Sequence, residues 1–158
     1  MEHLWAPWRM EYIKKIKKEE GCILCQKPTE DSDETNYILY RGDKNFIIMN
    51  TYPYNSAHLM ITPYRHIANL DELTDVERNE HFKLVSRSTR VLKQVFSPDG
   101  FNIGINLGRS AGAGIDKHVH THIVPRWAGD TNFMSVIAEI KVVSEALEET
   151  YQKLKDKF

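Results

Sequence analysis

The run KHVHTHIVPR, Lys117 to Arg126, constrains the fold more tightly than any other stretch of the chain. Histidine supplies only 7 of 158 residues, yet His118, His120 and His122 stand at alternate positions. Alternation is the period of a β-strand, in which residues i, i+2 and i+4 project from one face. The spacing therefore predicts a strand over 118–125, with imidazoles about 7 Å apart on one face. Val119, Thr121 and Ile123 then face the other way. Each neutral imidazole needs both a donor and an acceptor satisfied. Three in a row fill a core poorly, which points to chemistry.

Other runs place this strand in a sheet. YILY (37–40) and FIIM (46–49) flank a turn-forming GDKN, and HLMITP (58–63) is a third strand closed by Pro63. FNIGINL (101–107) alternates as a fourth. Thr74 and Glu77 form a capping box that opens a helix carrying Phe82, Val85, Leu92, Val95 and Phe96 at helical spacing, up to the SPDG stop at 97–100. From Ser135, the residues Val136, Ile140, Val143, Leu147, Tyr151 and Leu154 step as one long amphipathic C-terminal helix. PTEDSDETN (28–36) is a polar break. Consecutive strands joined by short turns predict an α+β fold, an antiparallel sheet of about five strands with helices on one side. Residues 1–158 are expected to form a single domain, with 1–35 as an N-terminal segment.

The charge balance excludes some partners. There are 21 Lys and Arg against 22 Asp and Glu, for a formal charge of -1, and the signs are interleaved. That gives no footprint for nucleic acid. The basic run KKIKK (14–18) is followed by Glu19 and Glu20 and is expected to be a solvated face. No apolar run approaches a membrane span of about 20 residues, and MEHLWAPWRM does not have the pattern of a secretory signal. Two cysteines, Cys22 and Cys25, are too few for a disulfide framework and suggest a reducing compartment, with a cytoplasmic location expected.

Two chemical readings of the histidines stand side by side. They could be ligands of a catalytic metal. Alternatively, one neutral imidazole could attack phosphorus and carry a covalent intermediate. The glycine-rich GRSAGAG (108–114) just upstream can cradle phosphate oxygens with backbone N–H groups, and it favours the second reading.

HVHTHIV resembles the signature of the histidine triad family of nucleotidyl hydrolases and transferases, in which apolar residues alternate with three histidines; Thr121 occupies one of the apolar positions. NTYPYNSAHLMITPYRHI (50–67), LWAPWRM near the start and NLGRSAGAGIDKHVHTHIVPRWAGDTNF (106–133) extend the resemblance, most closely to the bacterial diadenosine tetraphosphate phosphorylase-like branch. It implies a sheet with a central helix and a long C-terminal helix, cleavage of nucleoside polyphosphates at the α-phosphate, and a homodimer. His120 corresponds to the nucleophile, oriented by the carbonyl of His118. His122 and His58 correspond to the histidines that meet the phosphate, and Asn50 to the residue that binds the ribose hydroxyls. Ile48 is expected to wall the base. Asn106, Ser110, Gly112 and Gly114 are expected to contact phosphate. Gly114 and Ile115 stand where hydrolase branches place Gln and then Ser or Thr, which leaves water or phosphate open as the acceptor.

Cys22 and Cys25 form a CxxC, which is open to redox, buried-thiol and zinc readings. Some relatives by resemblance bind zinc through such a pair, a histidine after a P-x-x-H turn and the first triad histidine; here these are Cys22, Cys25, His66 and His118. The set implies a structural zinc and no catalytic cofactor. A phosphoramidase or adenylyl-conjugate hydrolase, a nucleotide-binding scaffold and a three-histidine metal hydrolase are the alternatives. Trp5, Trp8 and Trp127 are expected to be packing anchors, and His3 and His81 to be exposed. Lys117 and Arg126 flank the triad, either as steering charges or as plain surface.

Overall fold

The computed structural model describes residues 21–130 and 145–158. Two short helices come first, α1 (Ile23–Gln26) and α2 (Asp33–Asn36), followed by β1 (Ile38–Arg41), β2 (Asn45–Met49) and β3 (Leu59–Pro63). The long helix α3 (Asp75–Phe96), β4 (Gly100–Ile105), β5 (Thr121–Arg126) and α4 (Leu147–Leu154) complete the order. The five strands form one sheet in the order β1-β2-β3-β5-β4, and every neighbouring pair is antiparallel. This is the expected α+β architecture with a five-stranded antiparallel sheet, except that helices pack on both faces and not on one.

The register divides the sheet into two faces, because directly opposed residues share a side. One face carries Ile38, Ile48, Met60, His122 and Gly104 in a row across the strands. The other carries Met49, Leu59, Ile123 and Ile103, with Ile47, Ile61, Thr121 and Ile105 in the next row. Helix α3 covers this second face: Leu84, Val85, Val91 and Leu92 pack with Ile47, Leu59, Ile61 and Ile123 in the main core. Each such side chain contributes about 1.5–3 kcal/mol by leaving water. On the first face Leu24 of α1 joins Ile38, Phe46, Ile48 and Met60 in a second cluster. The N-terminal part of the described chain is thereby seated beside the sheet.

α3 starts where the capping box places it. Thr74 Oγ1 accepts from the Glu77 amide, and the Glu77 carboxylate accepts from the Thr74 amide at 2.7 Å. Arg65 Nε donates to the same carboxylate at 2.6 Å, and this pairing holds the Glu77 pKa down at about 2. The loop after β3 is thus locked to the helix start.

Several expectations are corrected. Phe82 is 75% exposed: the buried face of α3 runs instead through His81, Leu84, Val85, Ser88 and Leu92. His81, expected at the surface, is 7% exposed and hydrogen-bonded at both ring nitrogens, to Asn45 and Thr121. The C-terminal helix is not continuous, because Ala146 is extended (φ -66, ψ 147) and α4 begins only at Leu147; residues 135–144 lie outside the described set. The histidine strand begins at Thr121, not His118. The Val119 amide bonds to the Ile67 carbonyl at 2.7 Å, so 118–120 follow the loop after β3 and not a neighbouring strand. The polar break at 28–36 contains α2, ended by Tyr37 in the left-handed region (φ 56). His3, Trp5, Trp8 and the KKIKK run lie outside the described residues.

Candidate active site

His122 points from β5 onto the first face, and His58 immediately precedes β3. Their rings meet through His58 Nε2 and His122 Nδ1 at 2.9 Å, and His120 lies edge-on to His122 with centroids 4.8 Å apart. All three rings are buried, at 1% (His58), 4% (His120) and 8% (His122) exposure. Burial lowers the pKa of each below that of a free imidazole, and the neighbouring histidines add to this for His58 (to about 3) and His122 (to about 4). All three are therefore neutral near pH 7, and each neutral ring carries a single proton.

The partners fix where those protons sit. A backbone amide can only donate, and the Tyr54 amide lies 3.1 Å from His58 Nδ1. Nδ1 of His58 is therefore the acceptor, and its proton is on Nε2, donated to His122 Nδ1. The proton of His122 is then on its Nε2. A carbonyl can only accept, and the His118 carbonyl is 2.7 Å from His120 Nδ1. His120 therefore donates from Nδ1 and keeps a lone pair on Nε2. The cluster presents one bare ring nitrogen beside one ring N–H, the pairing needed to attack an electrophile and meet the negative charge that develops.

Asn50 sits at the end of β2. Its Nδ2 faces His58 Nδ1 at 3.4 Å, and its Oδ1 accepts from the Tyr52 amide at 2.9 Å. The Tyr54 ring, half exposed, stacks against His58 (4.7 Å) and His122 (5.4 Å). Its loop is pinned by Asn55, which donates to the Pro125 carbonyl at 3.0 Å and to Asp130 at 2.7 Å. Sequence reading missed Tyr54; an aromatic residue between a loop proline and a strand histidine was the available signal. Arg126 does not stand free beside the triad, because it pairs with Asp130 at 2.7 Å and Asn102 at 2.6 Å. Lys117 is exposed. Trp127 donates from its indole to the Phe96 carbonyl at 3.3 Å, as an anchor does.

Ile48 lies on the same face but is 1% exposed, packed among Leu24, Ile38, Phe46 and Met60, so here it offers a base no surface. Asn106 follows β4, and the loop beyond it turns through Gly108 and Gly112 at positive φ (79 and 90). A side chain on Gly112 would come within 3.9 Å of Asn106 Nδ2. Ser110, Gly112 and Gly114 are exposed on this loop, and Arg109 bridges its ends to Asp116 at 2.9 Å.

The first triad histidine turns elsewhere. His118 Nδ1 lies 3.3 Å from Cys22 Sγ and 3.4 Å from Cys25 Sγ, and His66 Nδ1 lies 3.3 Å from Cys25 Sγ. The four ligand atoms fall within 4.8 Å of one another. Tetrahedral zinc with Zn–S near 2.3 Å and Zn–N near 2.0 Å needs ligand separations of roughly 3.3–3.8 Å, so the set fits a metal ion with little movement. His118 Nε2 donates to the Pro63 carbonyl at 2.8 Å, which leaves Nδ1 as the lone pair aimed at the cluster, the usual outer support of a metal-binding histidine.

A buried imidazole cluster on a five-stranded antiparallel sheet, with a bare ring nitrogen beside a ring donor, has the chemistry that group transfer through histidine requires. The HIT domain family model matches residues 32–129. The chain is 38% identical over 161 residues to a Mycobacterium tuberculosis protein named AP-4-A phosphorylase, covering 98% of this chain and 83% of that one. It is 32% identical over 94 residues to a Saccharomyces cerevisiae bis(5'-adenosyl)-triphosphatase, covering 59% of this chain and 45% of the relative. Among solved structures, a zinc-bound histidine triad family protein from Mycobacterium smegmatis superimposes with a TM-score of 0.70 at 22% identity, over 87% of this chain and 92% of that one. The chain belongs to the histidine triad family.

Proposed function

We propose that this protein cleaves dinucleoside polyphosphates at the α-phosphorus through a nucleotidyl-histidine intermediate. The observation that carries the reading is the proton arrangement just described: His120 Nδ1 donates to the His118 carbonyl at 2.7 Å, which leaves the lone pair on Nε2. His120 Nε2 forms a bond to the α-phosphorus as the bridging P–O bond breaks, and the electron pair goes to the departing polyphosphate. His122 Nε2–H hydrogen-bonds the oxygen that takes this charge, and His58 fixes that tautomer by donating from Nε2 to His122 Nδ1 at 2.9 Å. Asn50 holds the ribose, and Asn106 with the 108–114 loop holds the phosphates. An acceptor then attacks the same phosphorus and frees His120. Near-full-length similarity to a protein named as a phosphorylase favours orthophosphate over water as that acceptor.

Cys22, Cys25, His66 and His118 would hold a structural zinc, which supplies cross-linking of the N-terminal segment to the triad and no reaction step. The protein acts as a homodimer: β4 is an edge strand whose second side is unpaired among the described residues, and Ile103 on it is 48% exposed. It works in the cytoplasm. No helix among the described residues is long and apolar enough to cross a membrane.

The experiment is incubation with diadenosine tetraphosphate, with and without orthophosphate. ADP and ATP formed only with phosphate is the expected result. AMP and ATP formed at the same rate without phosphate would make water the acceptor, and no product under either condition would overturn the reading.

A further inference from the structure

His122 is hemmed in on most sides. His58 and His120 stand 5.0 and 4.8 Å away between ring centroids, and Tyr54 lies 5.4 Å away. Across β3 lies Met60, packed into the Leu24, Ile38, Phe46 and Ile48 cluster. Among the described residues only the β4 side is left open. There Gly104 is paired directly with His122, so the two residues share a face with their Cβ positions about 5 Å apart.

Nothing in the fold demands a glycine at that position. Gly104 is not among the glycines at positive φ, and a Cβ built on it meets nothing within 4 Å among the described residues. Glycine inside a strand weakens it, and where neither backbone nor packing explains one, close approach of a ligand does. The substrate enters with its ribose end at Asn50, on the β2 side of His58, and its reacting phosphorus at His120 and His122. A chain continuing away from Asn50 runs toward β4.

We infer that the departing part of the substrate, a nucleoside polyphosphate, passes over Gly104, and that the missing side chain there sets the bulk of the leaving group. This rests on the function proposed above and deepens it: Gly104 is a specificity-determining position, and the leaving-group path runs over the face of β4 that Gly104 shares with His122.

Gly104→Val tests it, because an extended backbone in open space accepts valine and strands favour it. Two substrates that deliver the same adenylyl group are compared, diadenosine tetraphosphate, which expels ATP, and adenosine 5′-phosphoramidate, which expels ammonia. The variant should lose about tenfold or more in kcat/KM on the dinucleotide, the scale of a misplaced methylene-sized group in a fitted site, and should match wild type on the phosphoramidate. Equal losses on both, no loss on either, or a change in solution mass by light scattering would overturn the inference. Wild-type protein inert toward both substrates would sink the functional reading instead. In that case calorimetric titration with a methylene-bridged, uncleavable diadenosine tetraphosphate and with AMP decides: weaker binding of the dinucleotide alone supports the path over Gly104, and any other pattern overturns it.

Discussion

His118 and His120 stand two residues apart, yet they belong to opposite kinds of site. His118 donates from Nε2 to Pro63 and turns Nδ1 toward two thiols, whereas His120 donates from Nδ1 to the His118 carbonyl and leaves Nε2 bare. Both rings are buried, and burial lowers the pKa of both. The difference lies in which nitrogen a backbone carbonyl engages. The irregular backbone at 118–120 makes this possible: were it a regular strand, both side chains would share one face. One irregular turn of chain thus separates a binding cluster from a reactive one.

The largest expected effect tests the reactive side. His120→Ala should lower turnover of diadenosine tetraphosphate by about four orders of magnitude or more, as removal of a covalent nucleophile does. Its melting temperature should stay near that of wild type, and mass spectrometry should no longer detect a nucleotidyl adduct. An alanine variant that still forms the adduct would place the reactive nitrogen elsewhere and erase the contrast with His118.

The second effect tests the binding side. Cys22→Ser removes a ligand-type atom 3.3 Å from His118 Nδ1 without touching His120. If the cluster holds zinc, metal analysis should show stoichiometric loss. Stability should drop on the order of 3 kcal/mol or more, since metal bound only by the folded chain stabilises it. The folded fraction should keep its turnover number. A Cys22→Ser protein with unchanged metal content and unchanged melting would show the four residues to be close neighbours and nothing more.

Local patterns made much of this legible in the sequence, and their limits are physical. The capping box at Thr74 and Glu77 is a contact between residues three apart, so it could be read directly and starts α3 as expected. The CxxC pair is local too, but its partners His66 and His118 were reached through resemblance, because they lie 41 and 93 residues from Cys25. Phe82 was misplaced because hydrophobic periodicity ranks it above His81, whereas the sheet offers His81 two hydrogen-bond partners and takes the polar ring inside. The break at Ala146 was invisible because Leu147, Tyr151 and Leu154 keep the helical spacing of the residues before it. The proton positions in the triad could not be read at all, since they depend on the Tyr54 amide and the His118 carbonyl in three dimensions.

His81 supplies a third, smaller test, because it connects α3 to the residue between the two working histidines. Its Nε2 meets Thr121 Oγ1 at 2.6 Å and its Nδ1 meets Asn45 Oδ1 at 2.9 Å, both buried. His81→Leu leaves both oxygens without this partner and should cost about 1–3 kcal/mol in denaturant unfolding. His81→Leu combined with Thr121→Val should recover part of that loss, since the pair then becomes apolar on both sides. Additive losses in the double variant would mean that the two residues do not act as one contact.

The smallest effect sharpens the comparison through acid. Burial lowers the pKa of His58 to about 3 and those of His81 and His122 to about 4. The unfolded chain binds these protons near pH 6.5, while the folded chain does not, so between those limits the unfolded state holds more protons. Stability is then full above about pH 6.5 and falls as pH drops toward 4. The melting temperature should decline across that window. The acid limb of kcat/KM should lie below the ordinary histidine value and follow unfolding, because the reactive rings stay neutral while the protein stays folded. His81→Leu removes one of the three groups and should flatten the melting curve at the acid end without moving the acid limb of the folded enzyme. An activity limb at 6.5 with the melting temperature still constant would mean that the triad is open to water and protonates as a free imidazole does, and the proton assignment that separates His120 from His118 would then fail.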